Sequence, residues 1–537
     1  MTTTTPSTSS TTDVLIVGAG PTGSALAIDL ARRGISVRII DKATHGFAGS
    51  RAKGLQPRTL EVLYDLGALP DITAGGSLYP PMGLHLGPVT VPLRMMAKGQ
   101  RGPDVPFPDT WLIPQSRTNQ ALHDLLEKHG VRVELGSELA DFSDSGTSVI
   151  AHIVSPRGLE EVTARYVVGA DGGSSAVRKQ AGIEFTGSTD DADRTLIIDA
   201  PVAGKLSRKY WHIWPGLGGR FIGACPLPHS DLFQWMIRLA PDEEAPSGID
   251  AINARIQSHT RDKHLSITSI SWESVFRPNI RLAARYRHGR VLLAGDAAHV
   301  HPPAGAQGLN TGIGDAYNLG WKLAQVLAGA PESLLDTYEQ ERRPIAAGVL
   351  GLSTKKYEGI GKLDPSSYRR GSDEKQLTLT YRGGPLAPSA ADHTATLRVG
   401  DRAPDADLLS RDGDRVRLFD AYRGTHFTAI AYGPHAATSL AALRWPATGA
   451  PLQRLNIDAG TTGTSVDPRE EGPATDDLID ASGGFRKAYG VSGDVLLLIR
   501  PDGYIGHIAR HDLTRSTQAV IDTLTPAAEG AAAAPPY

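Results

Sequence analysis

One cysteine, Cys225, occurs in 537 residues. That scarcity excludes intramolecular disulfides, a CxxC redox pair and a cysteine-rich zinc or iron–sulfur site, so any redox chemistry has to come from a bound cofactor. An excess of one charge is missing too. Lys and Arg number 55 against 58 Asp and Glu, a net charge of −3, and no overall field draws the chain to nucleic acid or an anionic membrane. Long apolar runs are absent: VLLLI at 495–499 is strand-length, far below the ~20 residues that span a bilayer. The opening MTTTTPSTSSTT lacks a basic n-region and an apolar h-region. A loose tail over 1–11 and a cytoplasmic protein are therefore expected, with another loose end over 526–537. The expected partner is a small molecule.

What is present is an ordinary globular composition, 40% hydrophobic and 21% charged, at a length that suggests about three domains. The 59 glycines and 37 prolines fall between apolar runs without a repeat period, as turn residues do. Asp13 to Asp41 reads as a βαβ unit. DVLIVGAG is a β-branched run suited to a parallel strand covered on both faces, TGSALAIDLARRG a helix with Gly34 as its expected C′ residue, and SVRIID a second strand. The strand, glycine loop and helix order returns at ARYVVGADGGSSAVRKQAG and at GRVLLAGDAAHVHPPAGAQGLN. The fold class is doubly wound α/β, Rossmann-like, with inserted β-sheet segments rich in aromatics and alternating residues.

Gly18-Ala-Gly20-Pro-Thr-Gly23 fits GxGxxG in the right setting, after a strand and opening a helix. Gly18 permits the tight turn, Gly20 lets backbone approach a pyrophosphate, and Gly23 allows close helix packing, while the helix N-terminus offers free N–H groups to phosphate. Asp41, 23 positions after Gly18, is spaced to bind an adenosine ribose. This fingerprint alone does not separate FAD from NAD. Asp296 does: a carboxylate ending an apolar strand, before a glycine-rich stretch and a further helix, suits the ribityl hydroxyls of a flavin, although a plain helix N-cap uses the same residue.

GAGPTG with Asp41, VVGADGGSSAVR around Asp171, and VLLAGDAAHVHPPAGAQGLNTGIGDAYNLGWKLA together resemble the FAD-dependent aromatic hydroxylases, the group A flavoprotein monooxygenases, and most closely those of polyketide and related secondary metabolism. The resemblance runs from residue 12 to about 390. It implies that Thr22 faces the FAD pyrophosphate, Asp41 and Lys42 the adenosine, and Arg51 the region near the phosphates. It also implies that Gln115 reaches FAD, Leu139 packs near the adenine, Asp296 binds the ribityl chain, and Pro303, Gly305, Leu309 and Asn310 border the isoalloxazine. Asp171 belongs to a motif linked to FAD and NAD(P)H; a structural hydrogen-bond anchor is the equal alternative.

The implied organisation has an FAD-binding domain over 12–75, 113–183 and 285–390 and a substrate-binding β-sheet domain over 76–112 and 184–284. The segment 396–525 resembles the thioredoxin-like domain appended to such hydroxylases, but it contains no cysteine, so disulfide exchange is impossible there and a stabilising or oligomerising role, with a homodimer as the expected assembly, is what remains. The implied activity is hydroxylation of a phenolic or quinonoid aromatic: NAD(P)H reduces FAD, O2 adds at flavin C4a, and the resulting hydroperoxide delivers one oxygen atom. No side-chain nucleophile is required, and no catalytic side chain is assigned.

Trp211, Trp214 and Trp235 are candidates to line the substrate pocket, with sheet packing as the alternative. His299 and His301 form an HxH pair without a suitably spaced third ligand, so no metal is expected. Cys225 reads as a small buried hydrophobe and Lys42 equally as an exposed charge. Baeyer–Villiger oxygenation on the same fold and a flavin-binding carrier without turnover are the rival readings. A flavin-dependent halogenase is disfavoured because WHIW at 211–214 departs from that family's WxWxIP.

Overall fold

A computed structural model describes residues 9–93, 102, 104–302, 306–361, 373–388, 397–458 and 476–527. The first strand, Ser9–Val17, is the centre of a parallel arrangement: it pairs on one side with Val37–Asp41 and on the other with Gly158–Gly169, which in turn pairs with Val291–Leu293. Val14, Leu15 and Ile16 are fully buried, as a strand covered by helices on both faces requires. The strand begins at Ser9, so residues 9–11 belong to the sheet rather than to a loose tail. Two helices cover one region of it, Pro21–Ala31 and the long Gly308–Leu327. Pro21–Ala31 ends on Arg32 as its C-cap, and Gly34, with φ 76°, carries the chain reversal two positions later than a C-cap.

A second sheet is built from Met82–Leu86, Val89–Leu93, Thr195–Ala203, Trp211–Pro215, Phe221–Pro226 and Leu232–Arg238, joined by Ser266–Ile267 and Trp272–Phe276. Alternation along Leu232–Arg238 sends Phe233, Trp235 and Ile237 to one face, against Ile252 and Ile256 of the helix Ile249–Thr260. Gln234 points from the opposite face toward the parallel sheet, where Lys53 and Ser50 bond to it. Ser77–Leu78 and Trp111–Leu112 do not join this sheet; they pair with each other and with Gly54–Leu55.

The C-terminal segment forms its own seven-stranded sheet, in which Phe427–Tyr432 lies between Leu452–Asp458 (parallel) and Val495–Ile499 (antiparallel). One face of it closes on Phe485, Tyr489 and Leu418. The other does not end at the domain edge: Phe427, Leu496, Leu498, Ile521 and Leu524 belong to the same core as the parallel sheet, with Phe427 edge-on to Trp321 at 5.6 Å between ring centroids. Burying each such side chain is worth about 1.5–3 kcal/mol. No helix among the described residues is long and apolar enough to cross a membrane.

Candidate cofactor and substrate site

The turn after the first strand is shaped by close packing. Gly18 has φ 105°, and a Cβ there would strike the Ala170 carbonyl; a Cβ on Gly23 would strike the carbonyl of Gly18. Around Gly20, by contrast, nothing lies within 4 Å of where a Cβ would stand. The loop is thus pressed against protein at both ends and open in the middle, a cradle that leaves room for a diphosphate at a helix N-terminus. Asp41 braces it by accepting the Ala19 N–H at 2.8 Å and the Ala43 N–H at 2.9 Å. His123, from the helix Gln115–Lys128, meets the Ala19 carbonyl at 2.9 Å.

The remaining candidates converge on the same cleft. Thr22 packs against Gly295 and Gly312, tying the first helix to the strand end that carries Asp296. Asp296 is open to the cleft, and its Oδ1 lies 3.7 Å from where a Cβ would stand on Gly308, the first residue of the helix Gly308–Leu327. Protein surrounding the carboxyl pushes its pKa up, Arg51 and His299 oppose that, and Asp315 adds to it. Arg51 is exposed and close enough to act on Asp296. Gln115 accepts the Ala52 N–H at 3.3 Å through Oε1, and its amide N–H donors have no protein acceptor among the described residues. Asn310 donates to the carbonyls of Gly54 at 2.9 Å and Ala306 at 2.6 Å and accepts the Gln56 N–H at 2.8 Å, which pins the start of the long helix; Leu309 beside it is half-buried. Pro303 and Gly305 lie outside the described residues.

Lys42 is exposed at the strand end. Leu139 is 4% exposed and its side chain belongs to the core, so only its backbone can meet a ligand. Asp171 accepts the Ala176 and Val177 N–H groups at 2.7 and 3.2 Å through Oδ2, the anchoring arrangement, while its buried Oδ1 has no partner among the described residues; its Cα lies against the Gly18 turn.

Beneath the cleft lies a buried relay. His299 Nε2 meets Asp315 Oδ2 at 2.7 Å, and Arg342 Nε donates to Asp315 Oδ1 at 2.7 Å. Burial would raise the Asp315 carboxyl, but Arg342 and His299 hold it below the usual carboxylate range. Burial, with His299 alongside, pushes His301 down to about 3, so it is uncharged at neutral pH. Among the described residues no group of three or more His, Cys, Asp or Glu could hold a metal.

The three tryptophans divide by sheet face. Trp214 and Trp235 stack at 6.3 Å on the helix-covered face and are core residues, which corrects their assignment to a substrate pocket. Trp211 is on the other face, part-exposed, near Tyr79 and with Lys53 over its ring at 5.2 Å. Trp272, which the sequence did not single out, shares that face through its pairing with Asp199 and packs on Phe47 and Gly49. Cys225 is fully buried and its thiol is raised by burial.

The cradle, the open carboxylate and the half-buried Leu309 fit an FAD laid from Gly20 to Asn310. Comparison with known proteins agrees. The family model described as FAD binding domain matches residues 11–353. A flavin-dependent monooxygenase of Mycobacteroides abscessus is 40% identical over 500 residues, covering 92% of this chain and 96% of its own. The 6-methylpretetramide 4-monooxygenase of Streptomyces rimosus is 31% identical over 544 residues, 95% of this chain and 93% of its own. Among solved structures, OxyS anhydrotetracycline hydroxylase from Streptomyces rimosus superposes with a TM-score of 0.73 at 28% identity, covering 96% of this chain and 100% of that one. With a matched FAD domain over most of its length and monooxygenases aligned nearly end to end, the chain belongs to the FAD-dependent aromatic monooxygenases.

Proposed function

We propose that this enzyme hydroxylates a flat, fused-ring phenol or quinone of secondary metabolism, with NAD(P)H as reductant and O2 as oxygen source. The observation that carries the reading is the nearness of two surfaces: Gly54, bonded to Asn310 at the cleft, lies against Tyr79, which packs near Trp211 on the sheet face that also carries Ile213 and Phe221. Apolar and aromatic side chains there exclude water and stack on planar ligands. The two Streptomyces rimosus relatives, named for 6-methylpretetramide and anhydrotetracycline, support a polycyclic substrate.

Bound FAD, reduced by NAD(P)H, supplies an electrophilic oxygen atom from O2. The chain's own groups bind and orient. Gly18 to Gly23 and the following helix hold the diphosphate, Asp41 the ribose, Arg51 the phosphate region, and Asp296 the ribityl chain. Leu309 and Asn310 border the ring. The C-terminal unit is thioredoxin-like and structural. Incubating the FAD-loaded protein with polycyclic phenols and quinones, while following NADPH oxidation and product mass together, tests the reading. A product heavier by one oxygen with the ring retained supports it, and a ring-expanded lactone or NADPH-independent binding alone overturns it.

A further inference from the structure

Lys53 is a lysine with little to hold it. It is 8% exposed, yet Gln234 Oε1 is the one acceptor its Nζ reaches among the described residues, leaving the rest of the amine's hydrogen-bonding capacity, its lone pair included, unmet. Buried polar groups are ordinarily paired, because an unmet one forfeits its solvation. Among the described residues no carboxylate forms an ion pair with it.

Its location gives that vacancy a direction. The next residue, Gly54, bonds through its carbonyl to Asn310, and a Cβ on Gly54 would stand 3.0 Å from that of Ala306, so Lys53 starts beside the loop that borders the flavin ring. Its side chain then crosses to the opposite sheet, where Nζ lies 5.2 Å from the Trp211 ring centroid. From Gln234 a relay continues inward: Gln234 Nε2 donates to Ser50 Oγ at 2.6 Å, and Ser50 Oγ donates to Asp199 Oδ1 at 2.5 Å, with the Ser50 N–H on Oδ2 at 2.7 Å. The amine is therefore oriented from behind by Gln234, and its remaining hydrogen-bonding capacity meets no protein partner among the described residues, beside the Trp211 ring.

We infer that Lys53 is a catalytic residue that receives the proton of an acidic substrate phenol lying against Trp211 and holds the ring oxygen as its phenolate. The O–H bond breaks, the electron pair stays on oxygen, and the proton forms an N–H bond on the uncharged amine. The pair stays neutral overall and no co-reactant is consumed. Burial lowers the Lys53 ammonium below its ordinary range and so favours the uncharged form that accepts a proton; the Cys225 sulfur and the Asp199 carboxylate act in the opposite sense, and Arg208 faces Cys225 from beyond. A phenolate ring is more electron-rich than the phenol, which suits attack on an electrophilic oxygen.

The inference rests on the reading that a flat phenol enters between sheet and flavin. Alizarin, a hydroxyanthraquinone whose phenolate absorbs beyond the flavin band, is a probe that needs no turnover. Bound to the FAD-loaded protein, it should ionise at least one pH unit lower than free, a tenfold shift. Lys53→Met should abolish the shift while retaining FAD, and Lys53→Arg, which keeps a cation, should preserve part of it. The dimethyl ether, which cannot ionise, should bind wild type at least tenfold more weakly than alizarin. Equal ionisation in wild type and Lys53→Met, or equal binding of dye and ether to wild type, overturns the inference. If phenols are hydroxylated while Lys53→Met changes nothing, the lysine assignment alone fails; if the dye binds as phenolate but no phenol is oxygenated, the functional reading alone fails.

Discussion

Arg500 grips Glu341 with both guanidinium arms, Nη1 to Oε1 at 2.6 Å and Nη2 to Oε2 at 2.9 Å, and so bolts the C-terminal sheet to the helix Ser333–Gly361 of the FAD-binding region. Both side chains have no solvent exposure. Lys322 donates to the same carboxylate at 2.7 Å, Arg500 also pairs with Asp502 at 2.5 Å, and Arg402 with Glu61 adds a second bolt at 2.5 Å. Removing one member of a buried group leaves its partners desolvated and unpaired.

Arg500→Met is therefore expected to cost about 3–5 kcal/mol. Thermal melts of the FAD-loaded protein check it, and a variant that melts with wild type would show the cluster contributes nothing net.

The same cluster sets an acid limit. Burial would raise the Glu341 carboxyl, but Arg500 and Lys322 bring it down from 4.5 to about 2. A carboxylate depressed on folding adds stability that is full above its unfolded pKa and is lost as pH falls through the folded value. Between pH 4.5 and 2 the wild type should lose about 3 kcal/mol that Glu341→Gln does not lose, although the variant starts lower at neutral pH. Melting temperature against pH for the two proteins measures the difference in slope.

Truncation after residue 390 strips the cover from Trp321 and from the core that Phe427, Leu496 and Leu524 complete. The shortened protein should melt at lower temperature or change its assembly before it loses FAD, and the intact one should show no disulfide reductase activity. Calorimetry, light scattering and an insulin-reduction assay decide this; unchanged stability and size would refute a structural role.

Asp296→Ala should purify folded but with little FAD, because the carboxylate is open to the cleft and takes no part in the glycine turn. Circular dichroism and the flavin-to-protein absorbance ratio check it, and full flavin occupancy would remove the ribityl assignment.

NADPH oxidation by the resting enzyme should be slow and should rise on the order of tenfold or more with the true substrate, about 1.4 kcal/mol of barrier per decade. The proposed contacts would hold the cofactor by its tail, through Gly18 to Gly23, Asp41, Arg51 and Asp296, which would leave the ring free to move as a gate. Stopped-flow flavin reduction with and without substrate measures the ratio directly.

Local pattern was enough for the parallel strands, the glycine turn and Asp296, because each is dictated by neighbours a few residues away: a β-branched run, a φ that only glycine tolerates, a carboxylate at a strand end. Composition alone fixed that redox chemistry is borrowed, since one buried thiol cannot supply it. Sheet faces were decided elsewhere. Trp211 and Trp214 lie three positions apart on one strand, so alternation puts them on opposite faces, but only the packing of the helix Ile249–Thr260 says which face is core. The Lys53, Gln234, Ser50 and Asp199 relay joins four positions, the outermost of which, Ser50 and Gln234, are 184 apart in the chain, and His299 finds its carboxylate in Asp315 on a different element. Such contacts depend on how two sheets are brought together, and the free energy that brings them together is the burial of the whole core, which no single stretch of sequence contains.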